Sequence, residues 1–111
     1  MTEMKIGKIK SVRFGKGGYD DAMFGITVQL GSDKESWGTT DFWGWWSFPP
    51  SDGAKWTVAD QKNYFGDLFF RIIELCDKAK VKDITQLKDV PVEVVFDDMR
   101  LKSWRVLDEV I

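Results

Sequence analysis

Two pairs of adjacent aspartates, Asp20-Asp21 and Asp97-Asp98, are the residues with the most obvious potential for chemistry. If the fold brought both pairs together, their carboxylates could hold Mg²⁺ or Ca²⁺, which prefer oxygen ligands. Two of them could also act as a general acid and base. Adjacent aspartates are equally common in turns, because their side chains hydrogen-bond to nearby backbone groups. Without a third clustered carboxylate we favour turns, and we expect neither a metal ion nor a cofactor.

The composition removes most other catalytic options. The chain has no histidine, which is the usual general base near neutral pH and the commonest nitrogen ligand for metals. The single cysteine, Cys76, lies in an apolar helical pattern and is expected to be a small buried residue rather than a reactive thiol. The run Gly15-Lys16-Gly17-Gly18 lacks the Gly-Lys-Ser/Thr sequence and the helix start of a phosphate-binding loop. We therefore predict that the protein is not an enzyme.

Basic residues are concentrated near the amino terminus, although the whole chain has a net charge of -2. A basic strand flanked by tryptophans is typical of proteins that bind single-stranded nucleic acid, since bases stack on aromatic rings. The acidic remainder of the chain would repel phosphate, so this function is our alternative. Its candidate residues are Lys8, Lys10, Arg13 and Lys16.

The segment from Trp37 to Trp46 holds four of the six tryptophans of the chain. On a regular strand, Trp43 and Trp45 would share one face and Phe42, Trp46 and Phe48 the other. Core packing is the simpler interpretation of any single tryptophan. Aromatic residues on both faces nevertheless suggest that part of the segment is covered by a partner protein. The candidate partner-binding residues are Trp43, Trp45, Trp46, Phe48 and Asp41.

Apolar spacing predicts the elements that carry these residues. Ile6, Ile9 and Val12 recur at steps of three, which predicts a first strand over residues 4–14 with a bulge. The glycines and aspartates of residues 15–21 predict a loop. Residues 23–30 alternate strictly between apolar and polar, as a strand with one buried face does. After a turn, residues 35–42 can return beside that strand as a hairpin.

A long helix follows the diproline segment. Thr57 is a plausible N-cap with Asp60 three residues later. The apolar stripe that should pack on the sheet comprises Phe65, Leu68, Phe69, Ile72, Leu75, Cys76 and Ala79.

Residues 83–87 can form one more helical turn, and two strands then follow, around Val94 and Trp104. Alternation in the last strand puts Trp104 and Val106 on one side and Leu101, Ser103 and Arg105 on the other. The element order β-β-β-α-α-β-β predicts a single α+β domain over residues 1–111, with an antiparallel sheet of about five strands packed on one long helix.

Several runs of the sequence resemble a family of small, mostly uncharacterised accessory proteins of tailed phages and prophages. These runs are Gly7-Lys8-Ile9-Lys10-Ser11-Val12, residues 17–22, Lys55-Trp56-Thr57, Pro91-Val92-Glu93-Val94 and residues 101–107. The resemblance spans nearly the whole chain, although Asp89 and Asp98 stand where glycine would be expected. It implies a phage protein that works in the cytoplasm of a bacterial host, in a class that includes inhibitors of host defence systems.

The sequence favours a function in binding. We expect a protein-interaction module whose partner is a host or phage protein, with a homo-oligomer as a further option. No apolar stretch approaches the roughly 18 residues of a membrane span and no signal peptide is recognisable, so we expect a cytoplasmic protein without a membrane partner.

Overall fold

The computed structural model describes residues 1–17, 21–47, 53 and 55–111, with the backbone alone for residues 45–47. Five antiparallel strands form one sheet in the spatial order β3-β2-β1-β4-β5. Helix α1 lies between the third and fourth strands in sequence, followed by a short 3-10 helix at Ile84–Gln86. The predicted α+β class is confirmed. The bounds are β1 Thr2–Gly17, β2 Met23–Gly31, β3 Gly38–Ser47, α1 Val58–Ala79, β4 Pro91–Asp97 and β5 Arg100–Val106.

Strand β1 is the centre of the sheet because its two halves pair with different neighbours. Residues 2–8 pair with β4, and residues 8–17 pair with β2. The register with β2 shifts between Ile9 and Ser11, which confirms the predicted bulge. The extra residue lets both Ile9 and Val12 contribute to the core although they are three apart. Residues 15–17, predicted as loop, continue the strand, because β2 supplies a partner for each of them.

Gly7 on β1 allows a close approach that any side chain would block. A Cβ atom at this position would lie 2.4 Å from the carbonyl oxygen of Gly31 and 2.6 Å from the ring of Trp37. The Trp37 ring therefore sits directly over the strand, and it meets Phe96 edge to face with ring centroids 5.7 Å apart. The first tryptophan of the aromatic segment thus belongs to the packing of the sheet.

A second register shift, between Phe24 and Gly25, interrupts the pairing of β2 with β3. It coincides with Gly44, whose φ of 92° is in the left-handed region. A Cβ atom at Gly44 would lie 3.1 Å from Leu68 Cδ1, so the helix passes close to the strand here. This shift breaks the regular alternation on which the two-face interpretation of the tryptophan segment depended.

Helix α1 begins with the predicted capping box. Asp60 N–H donates to Thr57 Oγ1 at 3.1 Å, and Thr57 N–H donates to Asp60 Oδ2 at 2.9 Å. Leu68, Leu75 and Ala79 are buried in the same cluster as the sheet residues, so the helix packs one face on the sheet. The stripe is narrower than predicted, because the Phe69 side chain is 61% exposed.

The β4–β5 hairpin turns at Asp98 and Met99, both with positive φ, as a two-residue hairpin turn of this kind requires. A register shift between Val95 and Phe96 then pairs Phe96 with Leu101. Leu101 consequently packs against the core together with Trp104, and its predicted place on the opposite side was wrong. Asp89 also has a positive φ, so both aspartates found where glycine was expected have left-handed backbones.

The core joins all five strands to the helix. Cys76 packs against it as predicted, and burial raises the pKa of its thiol. No helix in the described part of the chain is both long and apolar enough to cross a membrane. The buried apolar residues of this part are Ile9, Ile26, Val28, Leu30, Trp43, Leu68, Leu75, Ala79, Leu87, Val90, Val92, Val94 and Val106.

The turn at Met99 provides a direct test of the hairpin. Its side chain is 95% exposed while its φ is 69°, a conformation that disfavours every residue with a Cβ. We expect Met99→Gly to raise the free energy of unfolding by about 0.5–1 kcal/mol, after allowing for the entropy that glycine adds to the unfolded chain. Urea unfolding of the two proteins measures this difference. An unchanged or lower midpoint would contradict the turn geometry.

Candidate protein-interaction surface

The two edge strands of the sheet, β3 and β5, meet through three side chains. One carboxylate oxygen, Asp41 Oδ2, accepts a hydrogen bond from the indole N–H of Trp43 and another from that of Trp104, each at 2.7 Å. The two indole rings are stacked, with centroids 6.2 Å apart and planes inclined by 13°. Since an indole N–H can only donate, a shared anionic acceptor satisfies both rings at once.

Arg71 of helix α1 completes this cluster. Its guanidinium carbon lies 3.9 Å from the centroid of the Trp43 ring, and its Nη2 lies 3.9 Å from Asp41 Oδ2. A guanidinium over an indole face is attracted by the ring quadrupole. We call Asp41, Trp43, Trp104 and Arg71 the seam, because they connect β3, β5 and α1.

The seam changes the interpretation of the predicted partner-binding residues. Trp43 is only 3% exposed, so its ring faces the interior, where a partner protein cannot reach it. The carboxylate of Asp41 is committed to two indoles rather than standing at the rim of an interface. Trp45 and Trp46 lie at the end of β3, but their side chains are outside the described part of the structure, as is all of Phe48.

The basic residues of β1 do not form one free positive face. Lys8 Nζ lies 2.5 Å from Asp33 Oδ2 and 2.6 Å from Asp89 Oδ1, and Lys10 also contacts Asp33. Hydrogen bonds from Lys10 and Lys8 lower the pKa of Asp33 to about 2. The hydrogen bond from Lys8 likewise lowers the pKa of Asp89. Aspartates therefore neutralise two of the four predicted nucleic-acid-binding residues.

The other two basic residues lie on opposite faces of the strand. Arg13 pairs with Thr27 on the face away from the helix, whereas Lys16 shares the helix-side face with Phe14 by alternation. Arg13 Nη2 donates to the backbone carbonyl of Lys16 at 2.6 Å. The sequence suggested one basic strip, but the bulge and the alternation of β1 divide it.

The predicted aspartate pairs are not assembled into a metal site in the part of the chain that can be described. The amino group of Met1 donates to Asp98 Oδ1 at 2.8 Å and lies 3.8 Å from Asp97 Oδ1. Asp20 lies outside the described residues. No group of three or more potential metal ligands occurs among the residues described.

An apolar groove opens between the helix and the end of the β1–β2 hairpin. The cavity within it is small, about 20 Å³, and nearly all of its lining is carbon. We call it the side groove. Its main lining residues are Phe14 from β1, Ile26 from β2, and Phe65, Phe69 and Ile72 from α1.

Aromatic side chains remain exposed around the side groove. Phe14 is 50% exposed and meets Phe24 edge to face, with centroids 6.2 Å apart. Phe69 is exposed at the opposite rim, and Phe70 and Ile73 extend the apolar surface along the outside of α1. A set of large apolar residues this close together on a monomer is characteristic of interaction sites.

Sequence reasoning missed this surface, although a signal was present. Phe70 and Ile73 are apolar but fall outside the predicted stripe, so a helix with one buried face could not hide them. The prediction also assigned Phe69 to the core, whereas the sheet curls toward the seam and leaves that part of the helix uncovered.

Comparison of the chain with known protein families, with characterised proteins and with solved structures found no match. The physical features of the surface are therefore the basis for any functional conclusion.

Removing the shared acceptor tests the seam. Asp41→Ala leaves two indole donors without their partner, and we expect it to lower the free energy of unfolding by about 2 kcal/mol or more. Trp104→Phe retains an aromatic ring but removes one donor, so it should lower the free energy of unfolding by less than Asp41→Ala does. Asp67→Ala, an exposed carboxylate on α1, is the matched control. If Asp41→Ala proves no more destabilising than this control in denaturant titrations, the seam is not a structural link.

The lysine contacts of Asp33 predict a dependence of stability on pH. The carboxyl pKa falls from 3.8 to about 2 on folding, so the native state binds fewer protons than the unfolded chain. The contribution of Asp33 to the free energy of unfolding is complete above pH 3.8, and it is lost as the pH falls through about 2. The melting temperature of the wild type should therefore approach that of Asp33→Asn over this window. A constant difference between the two proteins would contradict the ion pairs.

Proposed function

We propose that the protein is a non-enzymatic protein-interaction module that binds its partner at the side groove. The observation that supports this is the exposure of Phe14 and Phe69 at the two rims of an apolar cleft. Aromatic residues in desolvated pockets contribute most of the binding energy of many protein interfaces. A partner that inserts an apolar side chain between these two rings removes both from water.

The size of the groove favours a protein partner over a small molecule. Its cavity volume of about 20 Å³ is far below the range of about 300–1,000 Å³ in which drug-sized ligands are usually bound. The lining offers few polar groups that could orient a small ligand. A groove of this size and chemistry suits the tip of one apolar side chain from a larger surface.

The tryptophan segment continues next to this groove. Gly44 packs on Leu68 of the helix, and the backbone of Trp46 pairs with that of Phe24, whose neighbour Gly25 is part of the groove. Trp45 and Trp46 therefore stay in the proposal as sequence-based candidates for the same interface. Phe48 stays as a candidate from the sequence alone.

The biological setting is part of the proposal and rests on the resemblance to phage and prophage accessory proteins. In that setting the module works in the bacterial cytoplasm and blocks a host defence protein by occupying its surface. Inhibition of this kind needs affinity and shape complementarity but no catalytic group. The nucleic-acid alternative has less support, since Lys8 and Lys10 are already paired with aspartates.

Capture from a bacterial lysate tests this function. The intact protein serves as bait beside Phe69→Glu, Phe14→Glu and Trp45→Ala. Met99→Glu, which places the same charge at an exposed apolar residue on the β4–β5 turn, is the control. We expect the wild type and the control to retain the same host protein. The two groove variants, Phe69→Glu and Phe14→Glu, should lose affinity for this host protein by about tenfold or more, as truncation at an interface anchor does.

Circular dichroism must show that each variant is folded, and the captured protein must bind the purified module in a two-component assay. Equal capture by the wild type and both groove variants would show that the side groove is not the binding surface.

A further inference from the structure

Among the residues that the structure describes, strand β1 has no paired neighbour on one side over its second half. Its pairing with β4 ends at Lys8 opposite Pro91. Two further hydrogen bonds, Ile9 N–H to the Val90 carbonyl at 2.9 Å and Asp89 N–H to the Ile9 carbonyl at 2.8 Å, close this side of the strand. Within the described part of the chain, residues 11–17 then pair only with β2.

We call residues 11–17 the open edge. In an antiparallel pair, alternate residues direct their N–H and C=O groups away from the partner strand. Such an unpaired row is a ready template for one more strand, and proteins that bind peptides by strand addition use it in this way.

The two faces of the open edge differ in chemistry. On the helix side lies Phe14, which lines the side groove, and Lys16 follows on the same face at the end of the strand. On the other side lies Arg13, whose guanidinium donates a hydrogen bond to the backbone carbonyl of Lys16. A strand added here would place alternate side chains against the apolar groove and against a cation.

We propose that the open edge binds an extended segment of a partner protein in which apolar residues alternate with acidic ones. The segment pairs with the backbone of residues 11–17, its apolar side chains pack against Phe14 and the rim of the side groove, and a carboxylate meets Arg13. This inference rests on the proposed function and specifies how the partner is bound. The complementary charge is the feature that selects an acidic segment over a basic one.

Arg13 has a different role in the free protein. Its hydrogen bond to the Lys16 carbonyl covers part of the edge, as charged side chains on natural edge strands commonly do. An incoming backbone N–H can replace that donor. The released guanidinium is then available for the carboxylate of the partner, so the protecting residue becomes the recognition residue.

The probe for this mode is a fluorescent peptide that alternates valine with glutamate and matches residues 11–17 in length. We expect it to bind the intact protein in an anisotropy titration and to shift the NMR amide signals of residues 11–17. A peptide N-methylated at every residue keeps the side chains but cannot donate backbone hydrogen bonds, and it should bind at least about tenfold more weakly. Replacing glutamate by lysine in the peptide should weaken binding by a similar factor.

Protein variants separate the two faces. Arg13→Glu should reverse the preference in favour of the lysine peptide, while Phe14→Ser should weaken both peptides. Lys102→Glu makes the same change of charge on β5, the strand at the far edge of the sheet, and should leave binding unchanged. Circular dichroism and melting curves confirm that each variant is folded.

Equal affinities for the N-methylated and the unmethylated peptide would overturn strand addition. Binding of an oligothymidine of matched length in place of the peptide would overturn it as well. If no peptide binds but the Phe69→Glu variant still loses its host partner, the proposed function stands and this binding mode fails. If the peptide binds and no host protein is captured, the open edge is supported and the host partner is not.

Discussion

The fold depends on one carboxylate oxygen that two tryptophans share. Asp41 lies on β3 and Trp104 on β5, at opposite ends of the spatial order of the sheet, so their hydrogen bond brings the two edges together. Arg71 then ties the helix to the same point through the Trp43 ring. Trp43 reaches Asp41 within its own strand, whereas the indole N–H of Trp104 finds this acceptor only when β5 meets β3. A sheet without it would present two exposed edges and an uncovered helix.

This closure determines which aromatic residues remain for binding. Trp37 and Trp43 are used by the fold, the first over Gly7 and the second in the core. The helix meets the sheet mainly near β3 and β5, and its flank beside the β1–β2 hairpin stays partly open. Phe14 and Phe69 face each other across that opening. The exposed apolar surface beside the helix is therefore a consequence of where the sheet closes, and Phe14 and Phe69 line it whereas the buried Trp43 does not.

The unequal pairing of β1 has a similar origin. The strand spans Thr2–Gly17, but β4 covers only its first half because the chain turns away at Asp89 and Val90. No other described strand pairs with the free side of the remaining half, which lies beside the apolar groove. Backbone donors and acceptors, an aromatic rim and a cation thus occur together in one short stretch. A partner that satisfies all three gains specificity from features that are each weak alone.

Most of the elements are predictable from local patterns, because apolar periodicity, the Thr57–Asp60 capping box and the turn residues act locally. The sequence also predicted the bulge in β1, since steps of three between Ile9 and Val12 cannot occur on one face of a regular strand. It could not assign Leu101 or the tryptophans to faces, because register shifts depend on the partner strand. The packing of the whole chain makes Asp41 a link within the fold, neutralises Lys8 and Lys10, and leaves Phe69 exposed. The physical reason is that each of these outcomes depends on groups distant in sequence, whose meeting no local pattern encodes.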